Sequence, residues 1–201
     1  MKAFSSLKSV AIPLGLDNVD TDQILPARYL SVRREDGYGD FCFRDIRLLP
    51  DETERLDCVL NKTEYRHGRI LVAGANFGCG SSREGAVYAL QDSGIGLVIA
   101  ESFGDIFHQN ALINGLLPVK LRRDEIQDLL GILQAQPGME VDVILESQRV
   151  LLPNHPGYGF AIDPFRKHCL QAGLDEVDFT RSFVSEIEIY ESKMQNRIFR
   201  L

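Results

Sequence analysis

The chain has 201 residues, of which 44% are hydrophobic and 25% charged, and its formal net charge is -7. That length supports a sizeable core, and the acidic balance argues against nucleic acid or anionic membrane as a partner, since both demand clustered Lys and Arg. No run approaches the roughly 20 apolar residues of a membrane span, and residues 1–10 lack the apolar centre of a secretory signal, so the expected location is the cytosol. Cys42, Cys58, Cys79 and Cys169 stand apart with no C-x-x-C pair, a pattern that suggests neither a zinc site nor a disulfide framework.

In chain order, residues 10–16 read as a short strand, and the polar run Asp17-Asn18-Val19-Asp20-Thr21-Asp22 turns the chain ahead of Gln23-Ile24-Leu25-Pro26. Taken locally, that run is Asx-turn and capping chemistry. Residues 29–39 hold Arg33, Arg34, Glu35, Asp36 and two glycines, the composition of a mobile loop. Residues 41–47 and 51–62 carry too little periodicity to assign.

From Arg69 the order is regular. A strand at 70–76 leads to a helix at about 82–92 closed by Ser93-Gly94, then a strand at 97–100, a helix from about 104 to 113, and a short apolar run at 116–121. This alternation predicts βαβ units around a mostly parallel central sheet, an α/β fold. Ile126, Leu129, Leu130 and Leu133 share one face of a helix at 124–134, which Pro137-Gly138 stops. Residues 141–145 and 150–152 alternate as strands around Ser147-Gln148, and a helix at 164–172 ends before Gly173. The tail, about 178–201, is charged and amphipathic, with Phe183, Ile187, Tyr190 and Met194 on one face. Residues 1–201 are expected to form a single domain with this helical tail.

Residues 70–84, ILVAGANFGCGSSRE, carry the most chemistry. A buried-strand run breaks into glycines and then Ser81-Ser82-Arg83, which brings backbone N–H groups, two hydroxyls and a guanidinium to one small anion such as a carboxylate. In purely structural terms the same segment is a tight strand-to-helix turn with a serine N-cap. It lacks both the phosphate-loop lysine and the G-x-G-x-x-G spacing, which argues against a nucleotide. No G-x-S-x-G surrounds Ser81 or Ser82, so a hydrolase elbow is not indicated.

Three groups of residues then resemble one family, the small subunits of bacterial 3-isopropylmalate dehydratases. They are Asn18-Val19-Asp20-Thr21-Asp22-Gln23-Ile24 with Pro26-Ala27-Arg28-Tyr29-Leu30; Asn76-Phe77-Gly78-Cys79-Gly80-Ser81-Ser82-Arg83-Glu84; and Ser102-Phe103-Gly104-Asp105-Ile106-Phe107 with Asn114-Gly115-Leu116-Leu117-Pro118. The resemblance implies an aconitase-like swivelling β/β/α domain that docks on a separate large subunit, which carries a [4Fe–4S] cluster with one open iron. A cluster needs converging thiolates, and no such grouping is visible here, so this chain is expected to hold no metal. An isolated subunit with an exposed docking surface is expected to favour self-association.

Moving a hydroxyl between neighbouring carbons of a malate requires removal of a weakly acidic C–H proton beside a carboxylate while hydroxide leaves the other carbon. The resemblance implies that Ser81 is the base, activated by a helix N-terminus and nearby cations, that Arg83 clamps the substrate carboxylate and that Ser82 adds a hydrogen bond. Asp22 is then the orienting partner of Arg83 or Ser81. Residues 29–39 correspond to the segment facing the substrate's variable side group: Leu30 and Val32 suit an isopropyl group, whereas Arg33 and Arg34 suit an extra carboxylate or stand in solvent. Where the family usually reads Ser-Ser-Arg-Glu-His-Ala-Pro, this chain has Gly85 and Val87, and His108 is either a local substitute for the missing imidazole or a helix-surface histidine. The function implied is a hydro-lyase subunit, inactive alone, that interconverts 2- and 3-isopropylmalate in leucine biosynthesis. The alternatives are a paralogue acting on homocitrate, citraconate or dimethylmalate, and a non-catalytic module that binds a dicarboxylate or docks without turnover.

Overall fold

Alternating burial through Leu7, Ser9 and Ala11 makes β1 (Ser6–Pro13) a strand with one solvated face at its start and cover on both faces at its end. The structure, a computed structural model, describes residues 1–198. After β1 come three single-turn helices, α1 (Thr21–Ile24), α2 (Tyr38–Phe41) and α3 (Arg44–Arg47). The regular part follows as β2 (Ile70–Val72), α4 (Glu84–Asp92), β3 (Leu97–Ala100), α5 (Asp105–Ile113), β4 (Leu117–Lys120) and α6 (Arg123–Ala135). It closes with β5 (Glu140–Ile144), β6 (Arg149–Leu151), β7 (Tyr158–Gly159), α7 (Pro164–Ala172), α8 (Glu176–Arg181) and α9 (Val184–Ile198).

The strands form one seven-stranded sheet in the order β4-β3-β2-β1-β5-β6-β7. Strands β1 to β4 are mutually parallel, and β5, β6 and β7 extend the sheet from β1 by antiparallel pairing. Register places Ala11 beside Ile70, Ile70 beside Leu97 and Leu97 beside Leu117, a row with no exposed surface. The pleat sends alternate residues to two cores. Leu71 and Val98 join Ala86, Val87, Leu90 and Phe107 on one face; Ile70, Val72, Leu97 and Ile99 join Ile126, Leu129 and Leu133 on the other. Cover on both faces is why β2, β3 and β4 read as continuous apolar runs.

The expected strand at 70–76 ends at Val72, because the next amides turn to the loop after β1: Gly74 N–H donates to the Leu16 carbonyl at 2.9 Å. The strand expected at 10–16 instead begins at Ser6, where pairing with Ile144 of β5 extends it. Residues 51–62, without periodicity, are held by side-chain bonds; Asn61 Nδ2 donates to the Arg47 and Arg55 carbonyls at 2.7 and 3.0 Å. The tail is helical as α8 and α9, and its last three residues, 199–201, lie outside the described residues. Loops 14–20, 73–83 and 101–104 leave the carboxyl ends of β1, β2 and β3, the edge where open parallel sheets present their crevices.

Candidate active site

These three loops are laced by backbone hydrogen bonds into an irregular continuation of the sheet. Asn18 N–H donates to Ala75 O at 2.8 Å, Gly78 N–H to Val19 O at 2.7 Å and Thr21 N–H to Cys79 O at 2.8 Å. Phe77 N–H donates to Ser102 O and Gly104 N–H returns to Phe77 O, each at 2.9 Å. Such close approach needs missing side chains. Gly78 has φ +73°, and a Cβ there lies 2.2 Å from the Phe107 ring; Gly80 has φ +91°, and a Cβ there lies 2.2 Å from the Asp20 carboxylate. Phe77, Phe103 and Phe107 pack beneath the loops with centroids 5.3 to 6.2 Å apart.

Asp20 caps α1: its Oδ1 accepts from Asp22 N–H at 2.6 Å, while its own N–H donates to Gln23 Oε1 at 2.8 Å. That reciprocal cap fixes the next two residues. Thr21 Oγ1 donates to the Ser81 carbonyl at 3.1 Å, and Asp22 Oδ1 accepts from both Ala27 N–H and the Arg83 guanidinium. The Arg83 side chain is 17% exposed and that of Asp22 49%, so the cation is sunk in the surface and the carboxylate stands at its lip. The expected pairing of Asp22 with Arg83 is therefore present, and an arginine so placed needs it.

Ser81 and Ser82 are both exposed and face outward beside Arg83. The serine N-cap reading is corrected. Helix α4 begins at Glu84, Arg83 occupies its N-cap with φ -130°, and no side chain caps it. Both serines precede the helix, because lacing to residues 19–21 delays its first turn.

Residues 29–39 are tied down rather than loose. Tyr29 stacks on Phe41 at 4.0 Å, and Tyr38 is buried. Arg33 is committed to Asp36 at 2.9 Å and Glu35 at 3.2 Å. Arg34 reaches Asp92 through two bonds of 2.8 and 2.7 Å and lies 4.2 Å over the Tyr88 ring, at the far end of α4 and about 12 Å along its axis from Glu84. The structure thus brings neither arginine to the Ser81–Arg83 turn. Val32 turns inward against the core. Leu30 alone of the four offers exposed apolar surface, at 40%, and it packs beside Gly85, two residues beyond Arg83.

His108 is partly buried on α5: its ring lies 5.7 Å from that of Phe103, and burial, then Lys120, lower its pKa. Sequence reasoning missed Thr21 as the anchor of the Ser81 backbone, and Asn114, whose Nδ2 donates to Glu84 Oε1 at 2.7 Å across the start of α4. The only local signal for Thr21 was its place inside the capping run.

The residues present do not fit an iron–sulfur cluster. Among the described residues no three His, Cys, Asp or Glu side chains converge on one point. Cys42, Cys58 and Cys169 are buried separately, and burial pushes the Cys42 thiol up to about 11. Among the described residues no helix is long and apolar enough to cross a membrane.

The aconitase C-terminal domain family matches residues 1–124, which include all three motif groups. The 3-isopropylmalate dehydratase small subunit of Rhodopseudomonas palustris (strain HaA2) is 44% identical over 195 residues, covering 97% of both chains. That of Afipia carboxidovorans is 44% identical over 193 residues and covers 96% of both. The crystal structure of 3-isopropylmalate dehydratase (leuD) from Methanocaldococcus jannaschii is similar with a TM-score of 0.64 and 30% identity, over 94% of this chain and 99% of that one. With this fold, this turn and relatives that match it almost end to end, the chain belongs to the family of 3-isopropylmalate dehydratase small subunits.

Proposed function

We propose that the chain is the small subunit of a cytosolic hydro-lyase that interconverts 2- and 3-isopropylmalate by dehydration and rehydration in leucine biosynthesis. The observation that carries this reading is the sunken Arg83, oriented by Asp22, beside two outward hydroxyls on a turn whose backbone is fixed on both sides. Arg83 has five N–H donors and spends Nη1 on Asp22, which leaves an edge for a substrate carboxylate; Ser82 adds a hydroxyl donor. Acting as its alkoxide, Ser81 Oγ takes the proton from the carbon beside that carboxylate and becomes a hydroxyl, as hydroxide leaves the neighbouring carbon and a C=C bond forms. Addition in the opposite sense moves the hydroxyl and returns the proton. In this reading the acceptor of the hydroxide, a cluster iron, belongs to the large subunit.

Arg34 pairs with Asp92 at the far end of α4 and Arg33, 73% exposed, pairs with its own neighbours Glu35 and Asp36 at the surface, which favours an apolar side group over the additional carboxylate of homocitrate. The test is reconstitution with a cluster-bearing large subunit and an isopropylmalate assay. Ser81→Ala is expected to lower kcat by about 100-fold or more with unchanged complex formation, since a general base contributes at least that much. A rate within about twofold of the parent removes Ser81 as the base. Turnover by the small subunit alone overturns the division of labour.

A further inference from the structure

Nearly half of the exposed large apolar side chains among the described residues fall in one short stretch, from Phe183 to Met194. A contiguous apolar patch on a surface marks a place of interaction, unlike apolar side chains scattered singly. Phe183, Ile187, Tyr190 and Met194 follow one another at intervals of four, three and four residues, the heptad spacing of a seam along which one helix pairs with another. Ser185 and Ser192 occupy the opposite face.

The charges beside the seam say what covers it. Glu186 and Lys193 precede Ile187 and Met194 on one edge, and Glu191 follows Tyr190 on the other. Against a second α9 running in the opposite direction, Phe183 meets Met194 and Ile187 meets Tyr190. In that register Glu186 of each copy faces Lys193 of the other, so symmetry forms two ion pairs at once. Parallel pairing sets Glu186 beside Glu191 twice and is repelled. The place of the helix agrees. Asp175, Glu176 and Val177, which lead into α8, share a cleft with Met1, Asn114 and Gly115 at the amino edge of the parallel strands. The Ser81–Arg83 turn stands at the carboxyl edge. In the proposed complex, on which this step rests, the large subunit covers that edge and leaves α9 for another partner. We infer that α9 is a self-association surface: two copies of this chain pair antiparallel along Phe183, Ile187, Tyr190 and Met194, with Glu186 and Lys193 fixing the orientation. A helix of 15 residues is about 22 Å long, so the pair buries well under the roughly 1,200 Å² of a stable interface. Its expected dissociation constant is on the order of 100 μM, and in dilute solution the chains are separate.

Sedimentation equilibrium of the full chain, at concentrations up to about 1 mM, is the experiment. The parent is expected to show a monomer–dimer equilibrium. Glu186→Lys and Lys193→Glu are each expected to weaken it about 5-fold or more, because each turns two attractive pairs into two repulsive ones. A chain carrying both substitutions is expected to recover the parent affinity within about twofold, which a merely structural effect would not do. The two single variants, mixed, are expected to pair with each other at least about 5-fold more tightly than either does with itself, since every facing pair is then opposite in charge. A parent that stays monomeric throughout overturns the proposal, as does a dimer indifferent to these charges or a double variant that fails to recover. A tighter dimer in Glu186→Lys also overturns it, because that outcome belongs to parallel pairing. Ile187→Asp is expected to abolish the dimer and to leave assembly with the large subunit unchanged; loss of that assembly gives α9 to the large subunit and overturns the proposal. Self-association is read without substrate, so it stands or falls apart from the reaction assignment.

Discussion

Asp22 and Arg83 make one ion pair with unequal exposure, and that inequality decides what each substitution does. The guanidinium sits in the surface with little water to replace a lost partner, whereas the carboxylate is half in solvent and also accepts the Ala27 N–H. Asp22→Asn keeps an oxygen for Ala27 and removes only the charge opposite Arg83. Freed from its partner, Arg83 loses orientation more than affinity for water. The expected result is a rise in KM for isopropylmalate of about 10-fold or more, with a stability loss of about 1–2 kcal/mol, the roughly 1.5–3 kcal/mol of a hydrogen bond to a charged group reduced by solvent screening at the half-exposed carboxylate. Steady-state kinetics and urea unfolding of the same preparation check both. A change confined to kcat places Asp22 with the proton transfer at Ser81 instead.

At the scale of elements, the parallel strands and α4 are bound into the core, while α9 is not. Every described side chain from Arg181 to Met194 is exposed, including the stripe Phe183, Ile187, Tyr190 and Met194. The contacts before it are different: Phe179 packs edge-on against Phe165 at 4.8 Å and Phe183 at 5.1 Å, which ties α8 to α7. Among the described side chains, truncation after Phe183 therefore removes only exposed ones. The expected shift in Tm is under about 2 °C, below the roughly 2–4 °C that 1 kcal/mol produces in a domain of 150–250 residues. A larger drop in calorimetry shows that α9 is buried against something in solution. The laced loops respond differently, because Gly78 is hemmed in by Phe107 and its backbone is left-handed, so nothing there yields.

Across the whole molecule, two cores share one sheet, and unfolding is expected as a single calorimetric transition. His108 links that transition to pH. Burial, and then Lys120, hold its folded pKa below the ordinary 6.5, with Asp105 opposing. The unfolded chain therefore binds more protons in the interval between the two values, and stability rises with pH there. The stabilising share is fully present above pH 6.5 and is lost as pH falls through the folded pKa. His108→Gln is expected to flatten the fall in Tm on acidification from pH 6.5 to about 5. An unchanged slope assigns the acid sensitivity to carboxylates instead.

What was legible in the sequence was whatever local chemistry dictates. Strand β3 lies at 97–100 as read, because four apolar residues between turns fit only a strand covered on both faces. Helix α7 matches at both ends, with Asp163 accepting from Arg166 N–H, Pro164 in the first turn and Gly173 at φ +69°. That Ser81, Ser82 and Arg83 share one turn was legible for the same reason, since they follow directly on the glycines, and the pairing of Asp22 with Arg83 was read from the family resemblance. Tertiary structure alone decided the rest. The start of β1 depends on β5, more than a hundred residues later in the chain. The start of α4 depends on lacing to residues 19–21, and the fate of Arg34 on Asp92, 58 residues away. A side chain's local neighbours announce its chemistry, but its partner is chosen by which loops the sheet brings together.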